Sequence, residues 1–131
     1  MRKLENFRKA VESLSVIFEY DEPYGRLELA GIVALFEMTF EMAWKAMKEA
    51  LCTYGYAEAQ TGFPRSILKL AFKSAMIEDE ESWISALTDR NDVTHSYSSE
   101  IALTIARRAK SIYFPLFEAL LAKLEVDWSE C

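Results

Sequence analysis

The stretch LELAGIVALFEMTFEMAWKAMKEALCTY, residues Leu27 to Tyr54, reads as one long helix. Val33, Phe36, Phe40, Met47, Leu51 and Tyr54 recur at helical spacing on one side, and Leu35, Met38 and Met42 widen that apolar surface. What is left is a narrow stripe of Glu37, Glu41, Lys45 and Lys48, in which Glu41 and Lys45 form a favourable i,i+4 pair. So broad an apolar surface needs cover on more than one side. Either the helix is the centre of a bundle, or it also builds an interface with a second copy. Gly55 closes it, since glycine just past the last turn is a common helix stop.

The flanking segments supply the cover. Upstream, Leu4, Phe7, Val11, Leu14 and Phe18 make one stripe of an amphipathic helix, broken by Asp21-Glu22-Pro23-Tyr24-Gly25. Downstream, Gly62-Phe63-Pro64 starts a third helix reaching to about Met76, with Pro64 in its first position. Ile67, Leu68, Ala71 and Ala75 face inward there, and Arg65, Lys69 and Lys73 follow one another at steps of four on the outside. Asp79 caps a fourth helix whose buried face is Trp83, Ile84 and Leu87, with Glu80 and Glu81 favouring its N-terminal end. A last helix starts at Ser98 or Ser99 and runs to about Leu124, with Ile101, Ile105, Ala109, Ile112, Leu116 and Leu120 inward and a bend at Pro115. No segment alternates like a half-buried strand, and there is no internal repeat or linker. The expected fold is all-α: an up-and-down four-helix bundle with an extra short helix, a single domain over residues 1–131.

With 131 residues, 51% of them hydrophobic, and with 8 Phe, 6 Tyr and 3 Trp, the chain can bury a real core. A formal charge of −6 argues against a surface that grips nucleic acid along its whole length, although a small basic site remains compatible with it. Cys52 and Cys131 form no CxxC pair, so neither a disulfide framework nor a zinc site is indicated, and Cys52 reads as a buried small hydrophobe. No metal and no cofactor is expected. The charged start Arg2-Lys3-Leu4-Glu5 is unlike a signal peptide, and the apolar run from Ala30 to Phe36 is too short to span a bilayer. The expected location is the cytoplasm, with no membrane association.

The chemistry concentrates in Arg90-Asn91-Asp92-Val93-Thr94-His95-Ser96-Tyr97. His95 is the sole histidine. Imidazole moves protons near neutral pH, and a guanidinium binds phosphate oxygens and stabilises charge gathering on them. RNA brings its own 2′-hydroxyl nucleophile, so Arg90 and His95 could serve phosphodiester cleavage without a serine or a metal. A regular helix, however, turns residues five apart about 140° from each other. Either the segment is irregular, or a two-fold partner completes the site. The plainer readings are that His95 satisfies a helix terminus or Asp92, that Tyr97 sits at the core edge, and that Arg65, Lys69 and Lys73 form a solvated face. The functional reading of that basic row is a phosphate track or a docking strip for an acidic partner.

Several segments together resemble one family. Phe36-Glu37-Met38-Thr39-Phe40-Glu41-Met42-Ala43-Trp44-Lys45 is similar to the FEFTFELAWK segment of the nucleotidyltransferase substrate-binding protein family, within the HEPN superfamily. Pro64-Arg65, Ala71-Phe72-Lys73, Trp83, Asp89-Arg90-Asn91 with His95 and Tyr97, and Tyr113-Phe114-Pro115-Leu116 follow in the family's order, covering about Leu4 to Leu124. The resemblance implies a HEPN-like bundle that forms homodimers and pairs with a separately encoded minimal nucleotidyltransferase. Related HepT-type toxins carry the same Arg-x-x-x-x-His-x-Tyr pattern and act as metal-independent ribonucleases, silenced when the transferase attaches AMP to the tyrosine. Carried over, Arg90 and His95 are the ribonuclease pair, Tyr97 the modification site and Asn91 a supporting residue that bonds local backbone.

The chain lacks the Gly-Ser turn and the Asp-x-Asp pair that a nucleotidyltransferase needs for triphosphate and Mg²⁺, so it is not the transferase. Three readings stay open: a substrate-binding partner of a minimal nucleotidyltransferase that binds a nucleotide or RNA, a ribonuclease toxin switched off by AMPylation, and a structural dimer with a relict motif.

Overall fold

The computed structural model describes residues 2–95 and 97–128; Ser96 of the motif, and Cys131, lie outside them. Six α-helices occur among the described residues: α1 (Arg2–Leu14), α2 (Arg26–Thr53), α3 (Pro64–Lys73), α4 (Glu80–His95), α5 (Ser99–Arg108) and α6 (Phe114–Val126). A π-helical turn, Ala109–Tyr113, joins α5 to α6, so these two make one interrupted helix. Short 3₁₀ turns lie at Ser15–Glu19 and Ala57–Thr61.

Cross-contacts set the helix directions. The Lys3 N–H donates to Glu49 Oε1 at 3.2 Å, whereas the Thr39 hydroxyl reaches the Ala10 carbonyl at 3.3 Å, so α1 and α2 run antiparallel. Arg8 Nε meets Glu125 Oε2 at 3.1 Å and Phe18 meets Phe114 with ring centroids 5.1 Å apart, which makes α1 antiparallel to α6. Trp83 packs on Phe117 at 5.5 Å while Asp89 pairs with Arg108, so α4 runs against the α5–α6 helix. The result is an up-and-down four-helix bundle of α1, α2, α4 and α5–α6, with α3 as the extra short helix.

Burial drives the assembly. Phe7, Phe36, Phe40, Trp83, Tyr113 and Phe117 form an aromatic centre with almost no exposed surface, in which Phe36 stacks on Tyr113 at 5.0 Å. Truncating one such ring costs about 3–5 kcal/mol. Helix ends follow local chemistry. Gly55, at φ +90°, lets its own N–H reach the Cys52 carbonyl and the Tyr56 N–H reach the Leu51 carbonyl, closing α2 in a Schellman motif. Asp79 accepts from the Ser82 N–H at 3.1 Å, and Ser98 accepts from the Ile101 N–H at 3.2 Å, each capping the helix that follows.

Two boundaries and one inward-facing stripe differ from the sequence reading. The first helix ends at Leu14; the 3₁₀ turn after it buries Ile17 and leaves Phe18 49% exposed against Phe114. The third helix ends at Lys73 because Ala75 takes a left-handed conformation, φ 66°, and closes a second Schellman motif. In the last helix, Tyr113 and Phe117 point inward and Ile112 outward. Pro115 brings no N–H to the ladder, the wider π turn just before it absorbs the break, and the extra residue in that turn moves the inner stripe on by one position. Cys52 is half-buried against the core.

Candidate functional site

Asp89 and Arg90 are adjacent on α4, about 100° apart around the axis, and they engage different helices. Asp89, 5% exposed, accepts from Arg108 Nη1 at 2.8 Å and from the Tyr113 hydroxyl, which also contacts Ser85 Oγ at 2.9 Å. Arg90 turns to α2: its Nη2 donates to Glu41 Oε2 at 2.9 Å, and its guanidinium carbon lies 5.9 Å from the centre of the Phe40 ring. Trp44 Nε1 donates to the same Glu41 oxygen at 3.0 Å, and Lys45 reaches the other at 3.6 Å. Arg90 Nη1 also donates to Asn91 Oδ1 at 3.3 Å. Asn91 thus meets the guanidinium itself, where the resemblance implies a local backbone contact.

The electrostatics follow from this packing. Burial, reinforced by the hydrogen bond to Asp89, pushes the Tyr113 hydroxyl up to about 12. The Arg108 guanidinium is raised by its hydrogen bond to Asp89. Burial raises the Glu37 carboxyl, and the nearby positive charge of Arg90 partly opposes that.

His95 is the final residue of α4 and is exposed. Since α4 is helical throughout, Arg90 and His95 point about 140° apart. The irregular-segment alternative is thereby removed, and a single chain does not bring the two groups together. Tyr97, 55% exposed, lies just beyond α4 and borders a cleft of about 570 Å³ with Arg26, Leu27, Ala30 and Ser99. Leu27, Ala30, Ala34 and Met38 form an exposed stripe along α2, and Glu41 continues it at helical spacing. Tyr97 therefore stands at one end of an uncovered apolar stripe and the Arg90–Glu41 pair at the other. Arg65, Lys69 and Lys73 are exposed on α3, remote from this stripe in the chain, and make no ion pair among the described residues.

Two features escaped sequence reasoning. Helical spacing pairs Glu41 with Lys45, yet the shorter contact is to Arg90, 49 residues away. Asp89 is a buried acid whose partners Arg108 and Tyr113 lie on a different helix. Its sequence signal is its place in the Asp89-Arg90-Asn91 motif, which gives it no partner. The arrangement offers a guanidinium held by a carboxylate, an amide oxygen and an aromatic ring, with the Arg90 side chain still 28% exposed to meet phosphate oxygens. No cluster of metal-ligating side chains occurs among the described residues.

This chain belongs to the family described as nucleotidyltransferase substrate binding protein like, whose model matches residues 2–126. Its fold is shared by a Thermus thermophilus protein of known structure at 26% identity and a TM-score of 0.78, covering 90% of this chain and 98% of that one. It is similarly shared, at 22% identity and a TM-score of 0.77, by a Haemophilus influenzae protein whose structure is described as revealing the fold of a substrate binding domain of a nucleotidyltransferase. That likeness covers 93% of this chain and 98% of the other. No curated protein matches the chain. No helix among the described residues is long and apolar enough to cross a membrane.

Proposed function

We propose that the chain is the substrate-binding partner subunit of a two-component nucleotidyltransferase system. It docks a separately encoded minimal transferase and holds a nucleotide or RNA phosphate at Arg90, with Asn91 and Glu41 orienting the guanidinium. The observation that carries this reading is the Arg90–Glu41 pair, which joins two of the segments that carry the family resemblance and leaves the Arg90 side chain 28% exposed. The uncovered α2 stripe supports a homodimer in which two such pairs face one cleft. The test is fluorescence anisotropy with a labelled nucleoside triphosphate and a short RNA, on protein co-purified with the transferase. Arg90→Ala is expected to weaken binding about tenfold, the scale of one lost charge-assisted contact. Equal affinity of variant and wild type refutes the proposal.

One observation favours a second reading. Tyr97 is exposed, as an AMP acceptor must be, and His95 is open to solvent beside it. On this reading Arg90 of one copy and His95 of the other cut RNA without a metal, and AMP on Tyr97 stops the cutting. Cleavage should then resist EDTA and vanish in His95→Ala, and intact mass should show one AMP that is lost in Tyr97→Phe. Wild-type protein that leaves RNA whole retires this reading and spares the first.

A further inference from the structure

From Ala59 to Ile77 the chain contains no acidic residue, although it carries 21 of them in all. That interval holds α3, whose charges are Arg65, Lys69 and Lys73, all exposed and without an ion pair among the described residues. Elsewhere most of the arginines are paired: Arg8, Arg90, Arg107 and Arg108 each hold a carboxylate. At 100° per residue, Phe72 lies about 20° outside the arc that runs from Arg65 through Lys69 to Lys73, and so borders the row on the Arg65 side. It is 44% exposed, and Phe63, just ahead of the helix, is 77% exposed. The buried face of α3, Ile67, Leu68 and Ala71, already satisfies the core. Both rings thus keep apolar surface open beside cations that hold no carboxylate among the described residues.

We infer that this face of α3 docks a protein partner presenting a row of carboxylates around an apolar socket. Three cations at steps of four residues span about 12 Å of helix, which matches acids at the same spacing on a facing helix. Phe72 beside them supplies the desolvated anchor that a purely ionic strip lacks. The strip is short and bounded by Glu58 on one side and by Glu78, Asp79, Glu80 and Glu81 on the other. An extended polyanion such as RNA meets those acids as soon as it leaves the strip, whereas a protein can confine its carboxylates to the patch. These residues are other than Arg90 and its partners Glu41 and Asn91, so failure of this inference leaves the Arg90 reading standing.

The test uses the full chain and a fluorescein-labelled synthetic helix with Glu at every fourth position and Leu between, with a short oligoadenylate as competitor. The peptide is expected to bind at low salt and to be released as salt rises. Lys69→Glu/Lys73→Glu should weaken it at least about tenfold and Lys69→Gln/Lys73→Gln less, following the loss of interfacial charge. Phe72→Ala should weaken it several-fold. Arg2→Glu/Lys9→Glu, which changes net charge equally on α1, should leave it unaltered. Circular dichroism establishes that each variant is folded. Absence of peptide binding, equal loss in the α1 control, or displacement of the peptide by oligoadenylate from the same residues overturns the inference.

Discussion

Glu37 and Glu41 stand one helical turn apart beside the same guanidinium, and they experience it differently. Glu41 is in direct contact with Arg90, whereas Glu37 feels its charge while burial pulls the carboxyl toward the neutral form. Removing the guanidinium leaves the burial unopposed. Arg90→Ala is therefore expected to raise the titration of Glu37 further, which carbon-detected NMR of the side-chain carboxyl reads directly. An unchanged titration would mean that Arg90 does not lie against α2 in solution. Replacing Arg90 by Lys would keep the charge but lose the fork that meets Glu41 and Asn91 together.

Helix α3 ends under strain that one substitution should relieve. Ala75 occupies the left-handed position of a Schellman motif at φ 66°, a conformation costing an L-residue about 1–2 kcal/mol. Glycine pays no such penalty but loses more freedom on folding, so Ala75→Gly should stabilise the protein by about 0.5–1 kcal/mol. A thermal melt should rise by a few degrees on that account. A lower melting point would show that the Ala75 methyl contributes packing that outweighs the strain. Four other helix ends were legible in sequence: Gly55, Pro64, Asp79 and Ser98 each act within their own turn, where residue type and local geometry are tightly linked. Ala75 was not, since alanine carries no signal of a left-handed turn.

The bundle as a whole is tied across α4 and α5–α6 by Asp89, Arg108 and Tyr113. With an ordinary value of 10.0 and a folded value of about 12, Tyr113 keeps its proton in the fold after the unfolded chain has released it. Its contribution is fully present below pH 10.0 and is lost as pH climbs toward about 12. Urea midpoints followed from neutral into that alkaline range should fall in the wild type and more shallowly in Tyr113→Phe. That variant should also lose about 1–3 kcal/mol at neutral pH, since Asp89 then keeps Arg108 but loses the hydroxyl. At the same scale, Met38→Glu places a charge in the uncovered α2 stripe. If a second copy sits there, sedimentation should show the dimer replaced by monomer with the fold intact; an unmoved sedimentation coefficient would place any dimer contact elsewhere.

Helix count, order and caps could be read from residue order alone, because apolar periodicity and end chemistry act over a few positions. The candidate residues Arg90, Asn91, His95 and Tyr97 could also be named that way. Their relations could not: the Arg90–Glu41 contact joins residues 49 apart, and the Asp89–Tyr113 bond joins two helices through a π turn that shifts which side chains face inward. Such pairings depend on how helices rotate against one another as they pack. That rotation is set by the shapes of the buried rings, and no local pattern in the chain carries it.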